Sequence, residues 1–191
     1  MNRLLVIGAG REQLPAIDRA HARGLEVVAT DLDPAAPGSK LADHFHVVST
    51  ADVEGNIATA RRERVDGVMT LSSETAVPTV AAVAEALGLP GFSRRTAKLA
   101  TDKLAMKDGF VRHDVPTSPH RAIAGVDDAR AFTAEHGYPV VLKPAVLLGR
   151  LHNVLAVPPN VLRKMRLVAA EDADVKNMVR FQALDKCANA A

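Results

Sequence analysis

The first ninety residues alternate between two hydrophobic periods, and this alternation restricts the chain to a small set of folds. Arg3 to Ile7 is a short apolar run ending at Gly8-Ala9-Gly10, the pattern of a buried strand. Glu12 to Arg23 carries apolar residues at helical spacing and is closed by Gly24. Leu25 to Thr30 is a second strand, followed by Asp31 and by turn material, Asp33-Pro34-Ala35-Ala36-Pro37-Gly38. A strand at His44 to Val48 and a helix at Asp52 to Arg64 come next. A strand at Gly67 to Leu71 and an Ala/Val-rich helix at Thr75 to Leu87 complete the series before Gly88. Strands separated by helices in this way imply right-handed crossovers and an open parallel sheet, an α/β fold of Rossmann-like type. Ligands of such sheets sit beyond the carboxyl ends of the strands. Those ends here carry Gly8-Ala9-Gly10, Asp31 and Ser72-Ser73-Glu74.

Composition agrees with that layout and excludes other classes. Apolar residues make up 48% of the 191, aromatics only 3%, and there is no Trp, so the core is built from Ala, Val, Leu and Ile. A formal charge of +2 is too small to imply nucleic acid. The short basic clusters Arg61-Arg62, Arg94-Arg95 and Arg163-Lys164 are not interleaved with aromatics that could stack bases. The single cysteine, Cys187, allows no internal disulfide and fits a reducing cytoplasm. No apolar run approaches the length of a membrane span, and the run after Met1 is too short for a signal-peptide core, so a cytoplasmic location is expected.

From Ser93 the pattern changes. Ser93 suits the N-cap of a helix to about Ala100, and Thr101 can cap a second helix beginning Asp102-Lys103 and ending before Val115-Pro116. A strand near His120 to Ala124, a helix from Asp127 to Glu135 and the turn Gly137-Tyr138-Pro139 follow. That turn feeds an apolar strand, Val140-Val141-Leu142-Lys143-Pro144. Beyond Ala145 two helices are expected, Asn160 to Ala170 and Asp174 to Ala188.

Two constellations could carry chemistry. The turn Gly8-Ala9-Gly10-Arg11-Glu12-Gln13 offers glycines for a tight bend, and a following helix start offers N–H groups to an anion. Asp31 lies about twenty residues on, where a dinucleotide fold holds a ribose, but Gln13 stands in the place of the third fingerprint glycine. A nicotinamide cofactor, a purely structural turn and a small anionic substrate all remain open. The second constellation is a lysine pair. Lys103 lies near a helix start, and Lys143 follows three apolar strand residues, where an ammonium is costly to bury without an anionic partner. Two lysines on separate elements, roughly forty residues apart, could flank a polyphosphate as point charges.

The ordered combination resembles the ATP-grasp superfamily, the carboxylate–amine and carboxylate–thiol ligases related to biotin carboxylase and carbamoyl-phosphate synthase. Leu87-Gly88-Leu89-Pro90-Gly91, then Ser93, Ala97, Thr101-Asp102-Lys103 and Met106, is similar to that family's approach to its first ATP lysine. His113-Asp114-Val115-Pro116-Thr117 resembles its connector, and Tyr138-Pro139-Val140-Val141-Leu142-Lys143-Pro144 resembles its second lysine strand. The resemblance covers residues 3 to 145.

It implies a Rossmann-like pre-ATP-grasp domain over 1–112 and a partial α+β ATP-grasp subdomain over 113–191, with a divergent helical tail. Lys103 and Lys143 are then the expected ATP contacts. Gly8, Gly10, Arg11, Glu12, Gln13 and Glu74 become candidates for a substrate-binding surface. Glu74 could equally serve only the first turn of its helix. The implied cofactor is ATP, the implied partners are a small-molecule carboxylate and an amine, and a homodimer is the assembly common among relatives.

Mg2+ is expected from the family, but no ligand set for it is found in this chain. Glu171, Asp172 and Asp174 read as solvated capping residues, and the seven histidines show no ligand spacing. The family's glycine-rich phosphate loop is replaced by Pro144-Ala145-Val146-Leu147-Leu148-Gly149-Arg150. No catalytic residue is assigned. Loss of the pattern after about 145 is expected to leave the chain incomplete for turnover, as a truncated, degenerate or frame-shifted form.

Overall fold

The computed structural model describes residues 2–137, 140–144, 155–157 and 181–184. The chain parts into two compact units, Met1–Thr101 and Asp102–Ala191.

In the first unit, four parallel strands form one sheet: β1 (Arg3–Ile7), β2 (Glu26–Asp31), β3 (His44–Val47) and β4 (Gly67–Met69). Their spatial order is β3-β2-β1-β4, so the strand order reverses between β1 and β4. Successive residues along β1 point to opposite faces of the sheet, and each face finds its own helices. Leu5 and Ile7 join Val28 in a core with Ile57, Ala60, Val80 and Val83. These helix residues belong to α2 (Val53–Glu63) and α3 (Val77–Leu87). Val6 and Val27 instead pack with Ile17 and Ala20 of α1 (Leu14–His21).

Local chemistry sets the helix ends. A 3-10 turn at Arg11–Gln13 precedes α1, whose Pro15 occupies the first turn, where its missing N–H costs nothing. The helix stops at His21, two residues short of the sequence expectation. Gly24, at φ +72°, turns the chain, and the Leu25 N–H returns to the Ala20 carbonyl at 3.1 Å. The Asp52 side chain accepts from the Gly55 N–H at the start of α2. Gly88, in the left-handed region, ends α3. Ser93 accepts from the Thr96 N–H at the head of α4 (Arg94–Thr101).

At the amino-terminal edge of this sheet the Arg3 guanidinium gathers two acids. It donates to Glu26 Oε1 at 2.9 Å and to the Glu63 carbonyl at 2.8 Å, while His44 Nε2 lies 2.7 Å from the same Glu26 oxygen. The Arg3 hydrogen bond first, and the His44 contact second, hold the Glu26 carboxyl below its ordinary range. A carboxylate whose folded pKa is depressed contributes stability that is complete above its unfolded pKa and is lost as pH falls through the lower folded value. Glu26→Gln should therefore lower the urea midpoint at pH 7, and its gap from wild type should close below about pH 4. A gap unchanged from pH 7 to pH 3 would remove Glu26 from the acid response.

The second unit contains α5 (Lys103–Arg112), α6 (Val126–His136) and an antiparallel sheet. Its strands are β5 (Ala122–Ile123), β6 (Val140–Pro144), β7 (Leu155–Val157) and β8 (Phe181–Leu184), in the order β5-β8-β6-β7. Two sequence expectations are corrected here. The helix expected from Asp174 to Ala188, and with it the helical tail, does not hold at Phe181–Leu184. That segment is a strand pairing Leu184 with Val141 and Phe181 with Pro144. Partners supplied from distant sequence override a local apolar spacing that suited a helix. The expected helix at Asn160 to Ala170 lies outside the described residues.

The cap of α5 is Asp102 rather than Thr101. One Asp102 carboxylate oxygen accepts from the Leu104 and Ala105 N–H groups at 3.0 Å each, while the Thr101 hydroxyl donates back to the Ala97 carbonyl. Asp102→Ala should cost about 1 kcal/mol of stability, read as a lower urea midpoint. No change would deny it the capping role.

Candidate functional site

The carboxyl ends of β1 and β4 are adjacent in the sheet, and both run into irregular backbone held by specific bonds. Gly8, at φ +99°, extends β1 by donating its N–H to the Thr30 carbonyl at 2.8 Å. The next amide, Ala9, donates to Asp31 Oδ2 at 2.8 Å, and the Ala9 carbonyl accepts from the Gly38 N–H at 2.7 Å. Gly38 has to be glycine here, since an added Cβ would stand 2.8 Å from Ile17 Cδ1 and 2.9 Å from the Ala9 oxygen. Asp31 also accepts from the Asp33 N–H through its other oxygen. The acid that could have served a ribose thus spends both oxygens on fixing the glycine turn and the loop after β2.

Two side chains tie the β1 turn to the end of β4. The Thr70 hydroxyl donates to the Ile7 carbonyl at 2.7 Å, and the Gln13 amide donates to the Leu71 carbonyl. Immediately after this bond, Ser72 adopts a left-handed conformation, φ 53°, uncommon for a residue with a side chain. Glu74 then opens the 3-10 turn Glu74–Ala76 that leads into α3.

Of the residues expected to form a substrate surface, Gly8, Gly10, Arg11, Glu12 and Gln13 share this one turn, and Glu74 follows the neighbouring strand. Arg11, Glu12 and Glu74 are exposed, whereas Gln13 is only 7% exposed. The anchoring roles of Asp31 and Thr70 and the strained Ser72 were not expected. Only Asp31 left a signal in the sequence, its spacing from the glycines.

The expected ATP contacts belong to the second unit. Lys103 is the first residue of α5, directly after the capping Asp102, and is half-buried. Lys143 sits in β6 opposite Gln182 of β8, and its side chain lies outside the described residues. Farther along α5, the Lys107 ammonium donates to the hydroxyls of Thr117 and Ser118, the latter at 2.9 Å. This fastens the helix to the segment that follows it. Among the described residues no group of three or more His, Cys, Asp or Glu side chains could hold a metal ion. No helix among them is long and apolar enough to cross a membrane.

Residues 17–91 match the family model of the ATP-grasp N-terminal domain. These residues form an ATP-grasp N-terminal domain.

Along 150 residues it is 29% identical to the formate-dependent phosphoribosylglycinamide formyltransferase of Paraburkholderia xenovorans, spanning 75% of this chain and 36% of that one. Along 186 residues it is 29% identical to the phosphoribosylamine–glycine ligase of Vibrio vulnificus, spanning 94% of this chain and 40% of that one. The chain thus spans between 36% and 40% of the length of these ATP-grasp relatives. The fold is shared with the biotin carboxylase domain of the Hydrogenobacter thermophilus 2-oxoglutarate carboxylase, solved with MgADP, ADP and bicarbonate. That likeness has a TM-score of 0.72 at 21% identity and covers 97% of this chain and 44% of that one.

Proposed function

We propose that this chain is the nucleotide-binding and substrate-receiving front portion of an ATP-dependent carboxylate–amine ligase, working in the cytoplasm. The observation that carries the proposal is the 29% identity to a phosphoribosylamine–glycine ligase, maintained along 94% of the chain. Lys103 and Lys143 are assigned to the phosphate chain of ATP. Gly8, Gly10, Arg11, Glu12, Gln13 and Glu74 are assigned to the small-molecule end.

In chemistry of this kind ATP converts a carboxylate to an acyl phosphate, and an amine then displaces the phosphate. The protein's share is positioning and neutralisation of charge. Lys103 suits the second task because its backbone is fixed by the Asp102 cap, so its ammonium is presented from a rigid helix start. Lys143 suits it because β6 lies between β7 and β8, inside the sheet rather than at its edge. No step is assigned to a metal.

A second reading is a binding or partner protein that retains the Rossmann-like domain and does not turn over substrate. Thermal-shift titrations with ATP, NAD and phosphorylated metabolites separate the possibilities. Stabilisation by ATP supports the proposal, and response to NAD alone would replace it with an oxidoreductase-like one. Phosphate release with carboxylate and amine pools then divides the first two readings. Equal background release from wild type and Lys143→Ala, with ATP still bound by wild type, selects the binding protein.

A further inference from the structure

Gln13 is the one residue of the glycine turn that is both buried and polar, and its place is informative. The turn reads Gly8-Ala9-Gly10-Arg11-Glu12-Gln13 at the point where the strand order β3-β2-β1-β4 reverses. In dinucleotide folds of this order, the second glycine lets the pyrophosphate approach the backbone, and a third, three residues on, brings the helix close to the strand. Here that third position carries a long amide instead. A Cβ built on Gly10 would lie 3.1 Å from Gln13 Oε1, and one built on Gly8 would lie 3.2 Å from Gln13 Cδ. The glutamine therefore lies across the side of the turn that a diphosphate would need to reach.

Its amide also donates to the Leu71 carbonyl, one residue before the left-handed Ser72. The amide end of the side chain is thus held on two sides, by packing on two glycines and by a bond to the loop after the neighbouring strand.

We propose that Gln13 is the specificity-determining residue of this crevice. It excludes ligands joined through a diphosphate bridge and leaves the rim, where Arg11, Glu12 and Glu74 are exposed, to ligands bearing a single anionic group. Gln13→Gly completes the G-x-G-x-x-G pattern, so that one substitution should open the turn to the diphosphate of a dinucleotide while Asp31 stays on the Ala9 and Asp33 amides. Gln13→Leu fills nearly the same space without the amide and should keep it closed.

The test is calorimetric titration of wild type, Gln13→Gly and Gln13→Leu with NAD, each first shown to be folded by its thermal transition. NAD binding by Gln13→Gly at least tenfold tighter than by the other two is expected. Wild type binding NAD as tightly as Gln13→Gly would overturn the proposal, and so would a folded Gln13→Gly that binds no better than wild type. Should Gln13→Gly not fold, Gln13→Ala is read in the same way. This proposal concerns the first unit and is probed with NAD, whereas the ligase proposal is probed with ATP at lysines of the second, so either can fail alone.

Discussion

Replacing Lys143 with alanine is expected to weaken ATP binding by about 10- to 100-fold. A hydrogen bond to a charged group contributes about 1.5–3 kcal/mol, and each 1.4 kcal/mol is a factor of ten in affinity. Lys143 follows Val140, Val141 and Leu142 on a strand paired on both sides, with Leu142 opposite Leu155 of β7 and Ala183 of β8. A lysine placed at the end of such a strand has little reason to be there as a solubilising charge. Lys143→Arg keeps the charge but changes the donor geometry, and should recover part of the loss. Lys98→Ala, at an exposed position of α4, serves as the control and should leave the dissociation constant unchanged. Affinity within twofold of wild type for Lys143→Ala would remove this residue from the nucleotide site.

The second large effect is on stability. Asn56 in α2 is 0% exposed and connects three parts of the first unit. Its Oδ1 accepts from the buried Thr30 hydroxyl at 2.8 Å, and its Nδ2 donates to the carbonyls of Ser49 at 2.8 Å and Asp52 at 2.7 Å. Both carbonyls keep a backbone partner, from the Asp52 and Asn56 N–H groups respectively, but the buried Thr30 hydroxyl loses Asn56 Oδ1 as its acceptor. Asn56→Leu, close in volume, should therefore cost about 3 kcal/mol, at the upper end of the penalty for stranding a buried polar group. Thr79→Val gives up a single bond, from its hydroxyl to the Thr50 carbonyl at 2.7 Å, and should cost only about 1 kcal/mol. Urea denaturation of the two variants checks the ranking. An Asn56→Leu midpoint above that of Thr79→Val would mean that the Asn56 bonds do not hold α2 to β2 and to the loop after β3.

Most of the first unit was legible because its apolar strand runs alternate regularly with helix-spaced segments. Apolar runs at Arg3–Ile7 and Gly67–Met69, with periodic helices between them, leave one parallel arrangement. In the second unit the helix starting at Lys103, the short strand at Ala122–Ile123, the helix Val126–His136 and the strand bearing Lys143 were also legible. Phe181–Leu184 was misread because its local apolar spacing suits a helix, whereas pairing with β6 makes it a strand. The site divides along the same line. Glycines and charges announced the turn, and the spacing of Gln13 and Asp31 flagged a departure from the dinucleotide pattern. That Asp31 anchors the Ala9 amide, and that Gln13 reaches the end of β4, depends on contacts between elements that no spacing rule encodes.

The central claim, that Lys103 and Lys143 receive the same nucleotide, is tested most directly by lysine acetylation footprinting with and without ATP. Modification at each lysine is read by peptide mass spectrometry. ATP should slow acetylation of Lys103 and Lys143 together, at one common half-saturating concentration, and leave the exposed Lys40 and Lys98 untouched. Acetylation of both candidate lysines at rates indifferent to saturating ATP would contradict it.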